Sequence, residues 1–243
     1  MENGKSLLST SLQNKSVVES IIDRVVSAII EGELKPGSQL PTEMELCRDL
    51  GVGRNSVREA IKKLEAYGVV YIKRAEGTFV SETYNRRMLD PMLYGMILKQ
   101  DSWQDLIELR RVLDIGTLYV VIGHACTKEQ IDSLKETVEA MKAAIMAEKP
   151  SVTAIMEQDT DFHMKIAKFT DNEQLVNITD YITRITLPSR RKTVRRVLES
   201  GDRENFIELH RQLIQVIENQ QYNQVGKAVM DHYVYWKEEK QEM

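Results

Sequence analysis

The chain has little of what membrane proteins and disulfide-stabilised proteins need. It contains two cysteines, Cys47 and Cys126, and neither lies in a CxxC or other metal-binding spacing. We therefore expect two reduced thiols. No apolar run reaches the roughly 18 residues of a membrane span, and residues 1–20 are polar, unlike a signal peptide. The sequence predicts a cytoplasmic protein with no part in a membrane.

Length and charge indicate two domains and one local basic patch. The 243 residues allow one domain of about 70 residues and another of about 150. We place a first domain at residues 15–82, a polar linker at 83–86 and a second domain at 87–240. The net charge is −4, yet residues 54–74 carry six basic against two acidic side chains, which is +4. Such a patch suits contact with phosphates.

A helix with two unlike faces follows Gly53. The opposite face to its apolar side carries Arg54, Arg58 and Lys62, spaced every four residues. The apolar side shows the i, i+3, i+4, i+7 spacing of a buried helix face, through Val57, Ala60, Ile61 and Leu64. The pattern is typical of a helix that lies in a DNA groove, although a solvated surface helix has the same charge pattern.

Capping residues predict a shorter helix before this one and another near the start of the domain. Thr42 and Glu45 have the spacing of a capping box, and so do Ser16 and Glu19. Two short helices joined by residues 50–53 form a helix-turn-helix. Residues 69–73 and 78–80 are rich in β-branched and aromatic residues around a turn, which predicts a hairpin in the position of a wing.

Seven residues are our candidates for DNA contact. Arginine suits two-pronged contact with guanine, and polar side chains at the start of a helix can reach phosphates. The candidates are Arg54 and Arg58 for base edges or phosphates, Asn55, Ser56 and Lys62 for phosphates, and Arg74 and Gly77 in the wing.

Three separated blocks, residues 34–43, 54–60 and 76–80, resemble the DNA-binding domain of the GntR family of bacterial transcription regulators. The resemblance implies binding of a double-stranded DNA operator. Because such domains read inverted repeats as symmetric pairs, it also implies a homodimer. Two positions depart from the family pattern: Met44 stands where a basic residue is frequent, and Ala75 where the wing often has glycine.

The second domain shows helical periodicity and no convincing strand. Pro91, Pro150 and Pro188 mark boundaries. The predicted helices span residues 87–98, 102–124, 128–147, 151–169, 173–198, 203–219 and 224–238. Seven such helices imply an antiparallel bundle, so the fold class is mostly α, with an N-terminal winged helix-turn-helix and a C-terminal bundle.

Three of the four histidines, His163, His210 and His232, lie on the apolar faces of three different predicted helices. Asp159 precedes His163 by four residues and so shares its side of the helix. A divalent cation held by neutral imidazoles and one carboxylate would remove the cost of burying that carboxylate unpaired. Spacing alone also fits buried histidines that each bond a neighbour. The donor set suits zinc, nickel, manganese or iron.

The segment 159–163, with Leu209-His210 and Met230-Asp231-His232 further on, resembles the FCD effector-binding domain of the FadR branch of GntR regulators. That domain holds a metal that helps to bind a small acid. The resemblance implies metal ligands at Asp159, His163, His210 and His232, with zinc as the first choice. It also implies that Arg110 faces the cavity and pairs with an effector carboxylate.

Three further residues are assigned lesser roles. Asp161 points to another helix face than His163, so it ranks second to Asp159 as a ligand. His124 lies near the end of a predicted helix, where a histidine meets the carbonyl end rather than a metal. Arg111 is the more solvent-facing neighbour of Arg110, whose own alternative is a surface salt bridge.

These patterns lead to the hypothesis of a DNA-binding repressor or activator whose operator affinity is controlled by a small carboxylate, bound with the metal in the bundle core. Two alternatives remain at this point. One is a metal-dependent enzyme that acts on a small acid. The other is a metal-stabilised regulator without a small-molecule effector.

Overall fold

The computed structural model describes residues 16–83, residue 88 and residues 103–236, which form two compact units on either side of residue 95. The predicted linker at 83–86 and the predicted helix at 87–98 lie outside the described residues, apart from residues 83 and 88. No helix within the described ranges is long and apolar enough to cross a membrane.

The first unit is a winged helix-turn-helix. Both predicted capping boxes are present. The hydroxyls of Ser16 and Thr42 each accept from the backbone N–H three residues on, and the backbone N–H groups of the same two residues donate to the carboxylates of Glu19 and Glu45. Gly51 ends the second helix in the left-handed conformation, at φ 66°. The elements are α1 (Val17–Ile30), α2 (Glu43–Leu50), α3 (Arg54–Ala66), β1 (Val70–Lys73) and β2 (Gly77–Val80).

The apolar face of α3 lies in the core of this unit, as its spacing predicts. Val57 and Ala60 are fully buried, and α1 packs against α3. The strands β1 and β2 pair antiparallel, with Val70 opposite Val80. The charged face of α3 is consequently turned to the surface.

The second unit is helical throughout its described residues, 103–236. Its α-helices are α4 (Trp103–His124), α5 (Lys128–Met146), α6 (Val152–Lys168), α7 (Glu173–Ile185), α8 (Leu187–Ser200), α9 (Arg203–Glu218) and α10 (Val225–His232). A short 3-10 turn follows α10 at residues 233–235. The prediction of a mostly α fold with a helical second domain is confirmed.

The prediction of a single helix at residues 173–198 is wrong, because the structure has two helices there. The chain breaks at Thr186, between α7 and α8. Pro188 lies in the first turn of α8, where a missing backbone N–H costs nothing, whereas inside a continuous helix it would remove a hydrogen bond.

Helix α6 lies at the centre of the second unit. It packs against α4, α5, α7 and α8, while α9 packs against α4, α5 and α10. The core between them is apolar and includes Phe162, Leu134 and Ile207, all fully buried. The inner faces of α6, α9 and α10 therefore meet in one place.

Candidate functional site

The aspartate and three histidines predicted as ligands come together in the core of the second unit. Asp159 and His163 extend from α6, His210 from α9 and His232 from the end of α10. All four side chains are buried. One nitrogen or oxygen of each lies within 4.8 Å of those of the others, a spacing that suits one metal ion.

A backbone carbonyl on the side of the ring away from Asp159 fixes the orientation of His210. Its Nδ1 lies 2.8 Å from the carbonyl oxygen of Phe206, and because a carbonyl only accepts, Nδ1 carries the proton and donates it. Its Nε2 lies 2.9 Å from Oδ1 of Asp159. Burial lowers the pKa of His210 from 6.5 to about 4, so the ring is neutral near pH 7 and Nε2 presents a lone pair.

The other two imidazoles face each other across the same space. Nε2 of His163 lies 3.1 Å from Nε2 of His232 and 3.8 Å from Oδ1 of Asp159. Burial lowers the pKa of His163 to about 3 and that of His232 well below 6.5. Neutral imidazoles are the form that binds metals.

The two secondary candidates lie elsewhere. Asp161 forms an ion pair with Lys165, at 3.0 Å, and His124 is the exposed last residue of α4. Neither belongs to the four-residue cluster.

Arg110 is buried beside the cluster rather than in a surface salt bridge. It is 3% exposed. Its NH1 donates to the hydroxyl of Thr186, at 2.8 Å, and its Nε lies 3.8 Å from Oδ2 of Asp114. The guanidinium also stacks on the ring of Trp236, 4.9 Å from its centroid. Arg111 is more exposed and contacts the sulfur of Met230.

A small cavity of about 20 Å³ adjoins His163 and His232, which is room for about one water molecule. Two hydroxyls in its wall, those of Thr117 and Thr179, are buried without a hydrogen-bond partner among the described residues. Buried hydroxyls without partners are costly. The cavity thus offers donors to a polar ligand next to the histidines.

Arg190 belongs to this site but was not predicted from the sequence. Arg190 of α8 is 1% exposed and forms an ion pair with Asp159. In the sequence it stands in the run 189–192, which has the composition of a solvated basic surface. Pro188 marks the start of the helix that carries Arg190, but no local pattern in the sequence signals that this side chain is buried.

The predicted DNA-contact residues lie on the exposed surface of the first unit. Arg54 and Arg58 are 68% and 63% exposed, and both approach the carboxylate of Glu43 on α2, at 3.5 and 3.8 Å. Lys62 pairs with Glu65 at 2.8 Å. Exposed ion pairs of this kind are weak, so the basic side chains can exchange their partners for phosphates.

The start of α3 is open to an anion. Gly53 caps it without a side-chain bond, and its first turn has no acidic residue, in contrast to the two glutamates that begin α2. Asn55 is exposed and Ser56 half-buried at this end. Unpaired backbone N–H groups and the helix dipole favour a phosphate at such a position.

The wing carries Arg74 at its exposed tip. Gly77 lies at φ 131°, and a Cβ placed there would overlap with Nε2 of Gln39. That nitrogen donates to the carbonyl of Glu76, at 2.7 Å. The geometry of the turn therefore favours glycine at this position, independently of any role in DNA binding. Ala75 adopts φ 63°, which glycine would adopt without strain.

Comparison with protein families identifies two segments. Residues 17–80 match the family described as bacterial regulatory proteins, gntR family, and residues 105–234 match the FCD domain. The two matches coincide with the described parts of the two units.

Two relatives and one solved structure are similar to the chain over long segments. The chain is 31% identical to the HTH-type transcriptional regulator LutR of Bacillus subtilis over 169 residues, which cover 68% of this chain and 73% of LutR. It is 31% identical to the putative L-lactate dehydrogenase operon regulatory protein of Escherichia coli over 158 residues, 63% of this chain and 58% of that protein. A GntR protein of Streptococcus agalactiae superposes with a TM-score of 0.52 at 25% identity, covering 90% of this chain and 98% of that one.

Proposed function

The chain belongs to the gntR family of bacterial regulatory proteins and carries an FCD domain, and we propose that a small carboxylate bound at a metal site in that domain controls its affinity for DNA. Its relatives and both of its domain families are transcription regulators. It is therefore a DNA-binding regulator and not an enzyme.

One observation carries the metal site: two hydrogen-bond acceptors face each other in the core. With Nδ1 of His210 donating to Phe206, the lone pair of Nε2 is directed at Oδ1 of Asp159 across 2.9 Å. Arg190 pairs with the other carboxylate oxygen, Oδ2, so the two acceptors Nε2 and Oδ1 still repel each other unless a cation lies between them. Three neutral imidazoles and one carboxylate fit zinc, and nickel, manganese and iron accept the same donors.

The metal, when bound, would supply a Lewis acid that attracts a carboxylate oxygen. Arg110 would add a guanidinium suited to two-pronged pairing with the same carboxylate. The hydroxyls of Thr117 and Thr179 lack partners in the described residues and line the adjoining cavity. These groups together favour a small polar anion.

Because the cavity holds about 20 Å³, an organic acid has to displace the helices that enclose it. Packed cores respond to such displacement by shifting between discrete arrangements. The effector would alter DNA binding only by its preference for one arrangement over the other. The size of the cavity thus favours a coupling between effector binding and movement of the bundle.

We further propose that the regulator is a homodimer that reads an inverted repeat. Helix α4 exposes Leu109, Val112 and Tyr119 along one face, at 39%, 64% and 46% of their surface. An exposed apolar stripe on a helix of this length is unusual for a monomer. A second copy of the chain is the occupant that a symmetric operator requires.

The proposal is tested by measuring affinity for a duplex selected from random DNA, with zinc-loaded and with chelated protein, across a panel of small carboxylates. L-lactate is the first probe, because one relative is named for an L-lactate dehydrogenase operon. At least one acid should change the affinity about fivefold or more, and chelation should abolish the change. An affinity that no acid alters, or an effect that survives chelation, would contradict the proposal.

A further inference from the structure

Arg190 is the largest fully buried side chain of the described residues. It extends from α8 and forms an ion pair with Asp159 through NH1 and Oδ2. Its guanidinium also lies 5.7 Å from the ring centroid of Trp236. The same tryptophan contacts Arg110, so that two buried guanidinium groups share one aromatic ring.

The ion pair with Asp159 does not use all the donors of Arg190. Nε and NH2 have no hydrogen-bond partner within the described residues. A guanidinium has five N–H donors and no acceptor, and leaving several of them buried without a partner costs free energy. Arg190 therefore has free N–H donors that an anion could accept from.

The charges of the site, counted over the buried Arg110, Arg190 and Asp159 and the half-buried Asp114, give the same indication. Among the described residues, Arg110 and Arg190 contribute +2 at this site, and Asp114 and Asp159 contribute −2. Neutral histidine ligands add nothing. The neighbouring Lys165 is paired with Asp161. The protein groups thus sum to zero.

A divalent cation would raise that sum to +2. A buried net charge of this size is costly unless a ligand compensates it. An anion with a single charge would leave +1 in the core, whereas an anion with two charges restores neutrality. Because the cavity of about 20 Å³ has to widen for any organic acid, a compact dianion requires the smallest displacement of the helices.

We propose that Arg190 is a second anion-binding residue of the sensor and that the effector is a compact dicarboxylate, one carboxylate directed to Arg110 and the metal ligands and the other to Arg190. The inference rests on the proposed metal-dependent sensing. It makes Arg190 a specificity residue, which selects two negative charges over one.

The test compares two three-carbon acids, malonate with two charges and L-lactate with one, by calorimetric titration of the zinc-loaded protein near pH 7.5. The wild-type protein should bind malonate at least about tenfold more tightly, the worth of one charged hydrogen bond. Equal affinity for the two acids would overturn the dicarboxylate inference while leaving metal-dependent sensing intact. A protein that takes up no zinc would instead refute the proposed function.

Variants at the same position separate recognition from support of Asp159. Arg190→Gln should keep its zinc, measured by elemental analysis, and should lose the preference for malonate while still binding lactate. Arg190→Lys retains the charge and should retain most of the preference. Arg111→Gln, a neighbour of Arg110 outside the core, is the control and should match the wild type. A malonate preference that Arg190→Gln leaves unchanged would show that Arg190 only supports the fold.

Discussion

His210 is oriented for a ligand by the backbone of its own helix. The carbonyl of Phe206, one turn earlier, takes the proton of Nδ1, so that Nε2 can only accept. In metal sites the histidine ligands regularly donate their other ring N–H to a second group, which fixes the tautomer. The result is a lone pair directed at Asp159 without any rearrangement of α9.

Gly77 is a residue whose role can be tested through stability. Gly77→Ala should destabilise the first unit by about 1–3 kcal/mol, because φ 131° is a backbone conformation that other residues rarely adopt and because the amide of Gln39 would have to leave the carbonyl of Glu76. Thermal unfolding followed by circular dichroism measures the change.

The matched control lies two residues away. Ala75 adopts φ 63°, so Ala75→Gly should relieve strain and stabilise the unit by about 0.5–1 kcal/mol. Equal unfolding temperatures for Gly77→Ala and the wild-type protein would show that the turn tolerates a side chain and would leave DNA contact as the reason for glycine.

At the scale of single elements, the sequence predicted the first unit better than the second. Capping boxes at Ser16 and Thr42 and the apolar spacing of α3 depend on neighbours within one turn, and such local signals can be read directly. The break at Thr186 was missed because no glycine separates the two helices and helix-forming residues stand on both sides of it. Pro188 was noted as a boundary, but proline also fits the first turn of a helix.

The same reasoning explains what was found and missed in the candidate metal site. His163, His210 and His232 were picked out because they lie on apolar faces of three predicted helices and Asp159 because it lies one turn away, and the resemblance to the FCD domain then implied that the four are metal ligands. Arg190 was missed, since its burial depends on how α8 packs against α6. Long-range packing of this kind leaves no local pattern.

The exposed face of α3 should bind DNA through Arg54 and Arg58. Arg54→Ala and Arg58→Ala should each weaken binding to a selected duplex by about tenfold or more, because each removes a contact worth about 1–3 kcal/mol. Fluorescence anisotropy at fixed salt measures the affinity.

Lys62→Ala should act differently from the arginine variants. The loss of one phosphate contact should reduce the slope of log affinity against log salt by about one. Arg191→Ala, an exposed arginine of α8 in the second unit, provides the control for loss of a surface charge. An Arg54 or Arg58 variant that bound as the wild type and the control do would remove α3 from the DNA interface.

For the whole molecule, the buried histidines make stability depend on pH. In the folded protein the pKa of His163 is about 3 and that of His210 about 4, against 6.5 in an unfolded chain. As pH falls below 6.5, the unfolded chain binds protons that the folded chain does not. The metal-free protein should therefore lose about 1.4 kcal/mol per pH unit for each such histidine between pH 6.5 and about 4.

Chemical denaturation of chelated protein at pH 7.5, 6.5 and 5.5 tests this dependence. Little change is expected between the first two values and a marked loss at the third. Stability that stayed constant down to pH 5.5 would mean that the imidazoles are protonated in the folded state, which is incompatible with a set of neutral metal ligands.

Metal content measures most directly whether the four buried side chains hold an ion. Purified protein is saturated with zinc, dialysed against zinc-free buffer and analysed by mass spectrometry, for the wild type, His210→Ala and His124→Ala. We expect about one ion per chain in the wild type and in His124→Ala, which alters an exposed histidine at the end of α4, and almost none in His210→Ala. A full complement of zinc in His210→Ala, or none in the wild type, would contradict the account.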